Sequence, residues 1–270
     1  MTQELPPQIA PQHYEEKSSN WSKFNPGEWK QDIFTIPLEI GLIAGINQFS
    51  TIHTTSLWPF NDEVADKDPK ETTYPRSKLL PYALGTSAAI LGGLSLYSNE
   101  FPTYRHSIGW IHAHLLTEVA TSTAKVTFQR KRPYYDKKVS QGGTLGADDR
   151  YSFFSGHASH AFTFATYSSA LLFQYSNSSI LNWTYASLIY TSAGVIAASR
   201  VTDNAHYTSD VITGAIVGTL ISAFVFFRVE EVNTNNKKEE QIIYNFNMSP
   251  IAFRDDTKNS WYGFNVEFNI

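Results

Sequence analysis

The sequence predicts an all-α protein: a six-helix bundle with a β-hairpin appended at its C-terminus. Three observations carry this expectation. Apolar segments mixing Ala, Leu, Ile, Ser and Gly recur along the chain at lengths that suit helices better than strands. Gly or Pro clusters separate them. Only near the C-terminus, from residue 242, does the pattern change to strict alternation of apolar and polar residues.

Taken in order, the first 33 residues are polar and contain Pro. No apolar core follows a basic start, so they do not resemble a secretory signal. Residues 1–20 are expected to lack fixed structure, and WSKFNPGEWK (21–30) suits either a membrane surface or an ordered arm. Helices are predicted at about 34–46, 79–97, 107–124, 157–174, 180–198 and 207–227, and they should pack as one bundle. In the tail, IIYNFNMS (242–249) and WYGFNVEFNI (261–270) each place apolar residues on one face, and RDDTKN (254–259) supplies turn chemistry between them. The expected division is a flexible arm over 1–33, a helical domain over 34–228, and a linker with hairpin over 229–270. Two strands cannot close a barrel, so the hairpin should pack on the bundle or on a neighbour.

Composition narrows the function. The chain has 270 residues and a net charge of −4, which carries no nucleic-acid footprint. It has no Cys, which excludes thiol catalysis, thiolate metal sites and disulfides. A membrane span needs roughly 20 mostly apolar residues; 211–227 supplies 17 without a charge and 80–97 supplies 18. The other segments are shorter or are broken by Glu39, Glu118, Asn182 or His residues, and the mean hydropathy of −0.27 is low for six spans. An integral membrane protein is the favoured expectation, and a soluble or peripheral bundle stays open beside it.

Three stretches carry chemistry. In AKVTFQRKRPYY (124–135), Lys125 and Arg132 are seven apart, close to two helical turns, so one helix ended by Pro133 would point both cations the same way. In YSFFSGHASHAF (151–162), Ser155 can cap a helix and Gly156 lets an anion approach the backbone. The free N–H groups of a helix start bind phosphate-like anions, and His157 in the first turn can exchange a proton with one. His160, one turn on, reads as a packed or exposed histidine, with a place in the lining of the same cleft as the alternative. In SRVTDNAHYTSD (199–210), the turn residues of VTDNA place a helix end near Arg200 and a new start near Ala205, with Asp203 or Asn204 as its cap. His206 and Asp210 then stack at i, i+4, and Asp210 can accept a hydrogen bond from one ring nitrogen, which frees the other as nucleophile or base. Each stretch alone has an ordinary structural explanation. Together they bring three fixed cations, two histidines and a carboxylate to helix ends.

These stretches resemble the pattern of the type 2 phosphatidic acid phosphatase / vanadium haloperoxidase superfamily, which reads KxxxxxxRP, PSGH and SRxxxxxHxxxD. KVTFQRKRP (125–133), FSGH (154–157) and SRVTDNAHYTSD (199–210) match it at ten fixed positions, in order. The resemblance implies that Lys125, Arg132 and Arg200 clamp the phosphoryl oxygens, with Ser155 and the Gly156 N–H adding hydrogen bonds. It implies that His206 attacks phosphorus to form a phosphohistidine, that Asp210 orients His206, and that His157 protonates the leaving oxygen and then activates water. No metal and no cofactor are expected. The implied substrate is a phosphate monoester or pyrophosphate, on a lipid if the apolar helices lie in a membrane. For a bacterial membrane protein the family suggests a site facing the periplasm. A soluble broad-specificity acid phosphatase, a vanadate-dependent haloperoxidase and a phosphate-binding scaffold are the competing expectations. Phe154 departs from the family's Pro and is expected to change the rigidity of the turn or the pocket wall rather than the chemistry. The Gly- and charge-rich loop 134–153 is expected to shape access or to be a plain connection.

Overall fold

The computed structural model describes residues 24–48, 65–244, 246–254 and 260–268, with side chains described as far as Asn235. The expectations for residues 1–20 and for most of the turn at 254–259 fall outside the described residues. Among the described residues the body is all-α. Its long helices are α1 (Trp29–Gln48), α2 (Arg76–Tyr97), α3 (Thr103–Phe128), α5 (Gly156–Tyr175), α6 (Ser179–Thr202) and α7 (Thr208–Tyr244). A short α4 (Tyr135–Ser140) and a 3₁₀ turn (Ala147–Arg150) lie in the connection between α3 and α5. Strands β1 (Phe246–Arg254) and β2 (Ser260–Phe268) pair antiparallel, with Phe246 opposite Phe268 and Arg254 opposite Ser260.

Among the helix boundaries that differ from the sequence expectation, three have a clear local reason. Helix α1 starts at Trp29, because the segment before it is tied down: Gly27 N–H donates to Asp32, and Arg228 donates to the Phe24 carbonyl. Helix α3 ends at Phe128, ahead of Pro133. Gln129 turns left-handed at φ 44°, and the backbone that follows bonds elsewhere, with Ser152 N–H on the Arg130 carbonyl and Arg132 N–H on the Asp149 carbonyl. Helix α7 continues past the apolar run to Tyr244, taking in Ile242 and Tyr244, which alternation had placed in a strand. The stretch VEEVNTNNKKEEQ (229–241) contains neither Gly nor Pro and carries four Glu and two Lys, so no strong breaker stops the helix there.

The core sits between α3, α5 and α7, where Trp110, Tyr167, Leu171, Val225 and Val229 are buried together. A buried polar cluster ties α1 to α3 beside it. Glu39, which interrupts an apolar run, accepts from His112 of α3 at 2.9 Å, and Asp32 contacts the same ring at 3.1 Å. Packing of α5 on α7 positions the site. A methyl group at Gly218 would sit 2.1 Å from the Ser159 carbonyl oxygen, and one at Gly214 2.6 Å from the Ser155 carbonyl oxygen. Two glycines one turn apart thus lay the start of α7 directly on the start of α5.

Candidate active site

The N-terminus of α5 is the floor of the site. Ser155 is the N-cap; its Oγ lies 3.5 Å from the Ala158 N–H, a long capping bond, and its own N–H donates to the Asp210 carbonyl at 3.0 Å. Gly156 opens the helix, and the N–H groups at such a helix start are the ones that can face an anion. A side chain there would collide with the cations above it: a methyl group would meet Arg76 Nη2 at 2.6 Å and Lys125 Nζ at 3.6 Å. Phe154, in place of the family's Pro, is buried with its ring edge-on to Phe153, which is edge-on to Phe128. The turn is therefore packed rather than loosened.

The loop Asp203–Tyr207 between α6 and α7 carries His206. The Arg200 carbonyl accepts from the N–H groups of both Ala205 and His206, which fixes the loop against the end of α6. His206 precedes α7 instead of lying within it, so the expected i, i+4 hydrogen bond to Asp210 is not made. Nδ1 of His206 instead donates to the Ser152 carbonyl at 2.7 Å, while Asp210 stands 3.8 Å away and acts on the ring through its charge. A carbonyl can only accept, so the proton is on Nδ1 and Nε2 keeps its lone pair. Asp210 is held elsewhere. It accepts from Arg130 and from the Ser152 hydroxyl, each at 2.5 Å, and from the Tyr207 N–H at 3.1 Å, which caps α7. Nor does Asp203 cap α7: it pairs with Arg200 at 3.0 Å and accepts from Thr73.

The expected cations converge on this floor by different routes. Lys125 comes from the last turn of α3. Arg132 comes from the extended segment after it, not from the same helical face, and donates to the Ala205 carbonyl at 3.1 Å and to Asp148 at 2.8 Å. Arg200 comes from the last turn of α6, and its Nε is buried without a partner among the described residues. Nε2 of His157 is likewise buried and unpartnered. Burial, with the charges of Arg132 and Arg76, pulls the Lys125 ammonium down to about 8. Burial, reinforced by Arg200, Arg76, His206 and Lys125, pulls His157 down to about 3. Burial, opposed by Asp210 and reinforced by Arg132 and Lys125, pulls His206 down to about 4. Both histidines are neutral near pH 7 in a strongly positive pocket. That arrangement suits a dianion, which would meet cations on several sides and an unprotonated nitrogen on one.

Sequence reasoning missed several participants. Arg130 sits inside RKRP, but a continuing helix would have aimed it away from Arg132. Ser152 acts through its carbonyl, for which no sequence signal exists. Asp148 places the loop 134–153 on the clamp. Arg76, at the start of α2, lies far from every motif. Around it are Glu118, 3.5 Å from Arg76 Nη2 and 2.7 Å from His160 Nε2, and His114, whose Nδ1 is 3.0 Å from His160 Nδ1. From Arg76, His157 and His160 a cavity of about 650 Å³ opens between α2, α3, α5 and α6, walled by apolar residues such as Leu80, Ala83, Phe164 and Ile196. Among the described residues no group of three or more His, Cys, Asp or Glu is arranged to hold a metal ion.

The PAP2 superfamily model matches residues 109–233, a range that contains every motif residue named above. A PA-phosphatase related-family protein of Dictyostelium discoideum is 29% identical over 157 residues, which cover 55% of this chain and 58% of that protein. The match therefore spans a little over half of the relative's length. No solved structure matches the chain significantly. Over residues 109–233 the chain is thus similar to the PAP2 superfamily, and over 157 residues to this relative.

Proposed function

We propose that the protein is a phosphatase that hydrolyses a phosphate monoester or pyrophosphate on a lipid, within a six-helix domain that carries the hairpin as an appendage. The observation that carries this reading is the junction of two surfaces at His157: a cationic helix N-terminus on one side and the apolar cavity on the other. A phosphoryl group on the α5 N-terminus would be gripped by Lys125, Arg132 and Arg200, with the Ser155 hydroxyl and the Gly156 N–H completing the cradle. Nε2 of His206 then forms a bond to phosphorus, and the bond to the leaving oxygen breaks with its electron pair. Asp210 stabilises the positive charge that develops on the ring. Burial and the nearby cations keep His157 neutral; the bound dianion offsets the cations, so the ring can take up a proton and pass it to the leaving oxygen. It then takes one from the water that splits the phosphohistidine. The lipid chain would lie in the apolar cavity. The similarity to the PAP2 superfamily and to a PA-phosphatase related-family protein supports phosphate-ester chemistry.

The test is phosphate release by the purified full chain in detergent and EDTA, from phosphatidic acid, an alkyl diphosphate and a water-soluble aryl phosphate. Release should persist in EDTA, favour the lipid substrates, and fall by roughly 10⁴-fold or more in His206→Ala, the scale seen when a covalent nucleophile is removed. An unchanged rate in a folded His206→Ala protein would sink the mechanism. Preference for the aryl phosphate would return weight to a soluble-type acid phosphatase.

A further inference from the structure

Segment 65–75 runs ahead of α2, outside the three motifs and outside the matched range 109–233. It is nevertheless bonded to the chain that follows two of those motifs. Beyond Arg132, the Lys67 N–H donates to the Pro133 carbonyl and the Asp136 N–H to the Ala65 carbonyl, each at 2.9 Å, and Lys137 pairs with Asp68 at 3.0 Å. Beyond Arg200, the Thr202 carbonyl accepts from Lys70 Nζ at 3.0 Å. Asn204, whose φ of 57° is a left-handed turn that Asn tolerates, donates through Nδ2 to the Asp68 carbonyl at 2.8 Å. The segment is thus a strap across both stretches, and it leads through Pro75 into Arg76 and α2.

Thr73 makes the contact that reaches the site. Its N–H donates to Asp203 Oδ2 at 2.9 Å and its hydroxyl to Asp203 Oδ1 at 2.5 Å. Arg200 Nη1 donates to the same Oδ2 at 3.0 Å, and the side chains of Arg200 and Asp203 are both buried. A buried carboxylate beside a phosphoryl cradle would repel the ligand if its oxygens faced it. Here both oxygens are taken, one by the Thr73 hydroxyl, the other by the Thr73 N–H and Arg200. Asp203 therefore holds one edge of the guanidinium through a charge-assisted bond. Nε of Arg200 is left buried with no partner among the described residues, a donor that a bound anion would satisfy. Of the charged groups that act on His157, Arg200 acts most strongly, which puts this guanidinium at the cradle.

We infer that Thr73 and Asp203 are positioning residues for the phosphoryl clamp: Thr73 fixes the Asp203 carboxylate, and Asp203 fixes the guanidinium of Arg200 with Nε left for the anion. The inference rests on the proposed phosphatase reading, in which Arg200 grips a phosphoryl group. An arginine side chain loses rotamer freedom when it closes on an anion. One that is already held along an edge has lost that freedom on folding, so the anion is bound more tightly. The strap thereby serves two cations. It holds Arg200 through Asp203, and it leads directly into Arg76, whose Nη2 overhangs Gly156.

The experiment measures the Kd of inorganic orthovanadate, a phosphate-shaped anion, by titration calorimetry of the full chain in detergent. It compares wild type with Thr73→Val, Thr73→Ser and Asp203→Asn. Thr73→Val removes the hydroxyl and leaves every charge in place, and should weaken binding by about three- to tenfold. Thr73→Ser restores the hydroxyl and should bind within about twofold of wild type. Asp203→Asn should weaken binding by about ten- to a hundredfold, the scale of losing a hydrogen bond to a charged group. In an Arg200→Gln background the same Asp203 change should cause no further loss, because the guanidinium it holds is gone. A merely structural tie would lower the thermal midpoint and leave the Kd of the folded protein unmoved. Unchanged affinity in Thr73→Val and Asp203→Asn, tighter binding once the Asp203 charge is removed, or the full loss repeated in the Arg200→Gln background would each overturn the inference. If Asp203→Asn does not fold, the Val and Ser variants of Thr73 decide. Phosphate release by the same proteins tests the underlying reading. A wild type that binds vanadate in this Asp203-dependent way but releases no phosphate from any substrate would overturn the phosphatase reading and uphold the positioning of Arg200.

Discussion

His206 and Lys125 set opposite limits on the pH at which the site can work. His206 must be neutral to attack, and burial with the neighbouring cations holds its ring down to about 4, so the nucleophile is present above that value and lost as pH falls through it. Lys125 must be charged to grip the phosphoryl group, and burial with Arg132 and Arg76 lowers it to about 8, so the grip is present below that value and lost as pH rises through it. The expected profile of kcat/KM is a bell with flanks near 4 and 8. In Lys125→Arg the alkaline flank should move out beyond about pH 10, because a guanidinium does not lose its proton there. An alkaline flank that stays in place in that variant would mean that another group titrates. Among single residues, those with a fixed spacing were legible in the sequence: Ser155, Gly156 and His157 lie together at a helix start as their order implies. The partner of His206 was not legible. The i, i+4 spacing to Asp210 looks like a hydrogen-bonded pair, but Arg130, Ser152 and the Tyr207 N–H occupy that carboxylate, and a backbone carbonyl takes the ring proton.

At the scale of elements, the apolar periodicity located the long helices, but their ends are set by contacts that no local pattern encodes. Pro133 looked like the stop of α3; the stop is Gln129, because the residues after it bond across to the segment 149–152. The same limit applies to Arg76, which enters the site only because α2 packs beside α3 and α5. The contact that most constrains the site is the α5–α7 crossing at Gly218. A methyl group there would meet three backbone atoms of Ser159, at 2.1, 2.8 and 3.0 Å, none of which can swing aside. Gly218→Ala should force the helices apart and destabilise the fold toward or beyond the upper end of the roughly 1–3 kcal/mol typical of overpacking. Activity should fall with it, since α7 carries Asp210 and follows His206 directly. Gly194→Ala in α6, where a methyl group meets nothing within 4 Å, is the control and should be neutral or stabilise by about 0.4–1 kcal/mol. Thermal unfolding in detergent reads both. Similar midpoints for the two variants would show that the crossing is not the tight point.

At the scale of the whole molecule, the surface is the remaining argument. Helices α2 and α7 (its first part, Thr208–Asn235) are long and apolar enough to cross a membrane. Length and composition alone are weak grounds, because a buried core helix passes the same test. Burial separates the two cases for α2, which turns almost none of its apolar window inward and leaves Leu80, Tyr82, Leu84 and Leu96 exposed. The outer faces of α1, α6 and α7 continue the pattern with Phe34, Ile180, Trp183, Leu220 and Phe227. Exposed apolar side chains grouped in this way mark surfaces that meet lipid or another protein. If lipid covers this surface, the chain should stay in the membrane fraction through alkaline carbonate washing and leave it only with detergent. Leu84→Lys, near the middle of α2, should reduce the membrane-inserted fraction, because a lysine at the centre of a span costs about 2.5–3.5 kcal/mol on insertion scales. Release of active protein by carbonate alone would mean that another protein covers the apolar faces. The cavity at Arg76 would then have to draw its substrate from water.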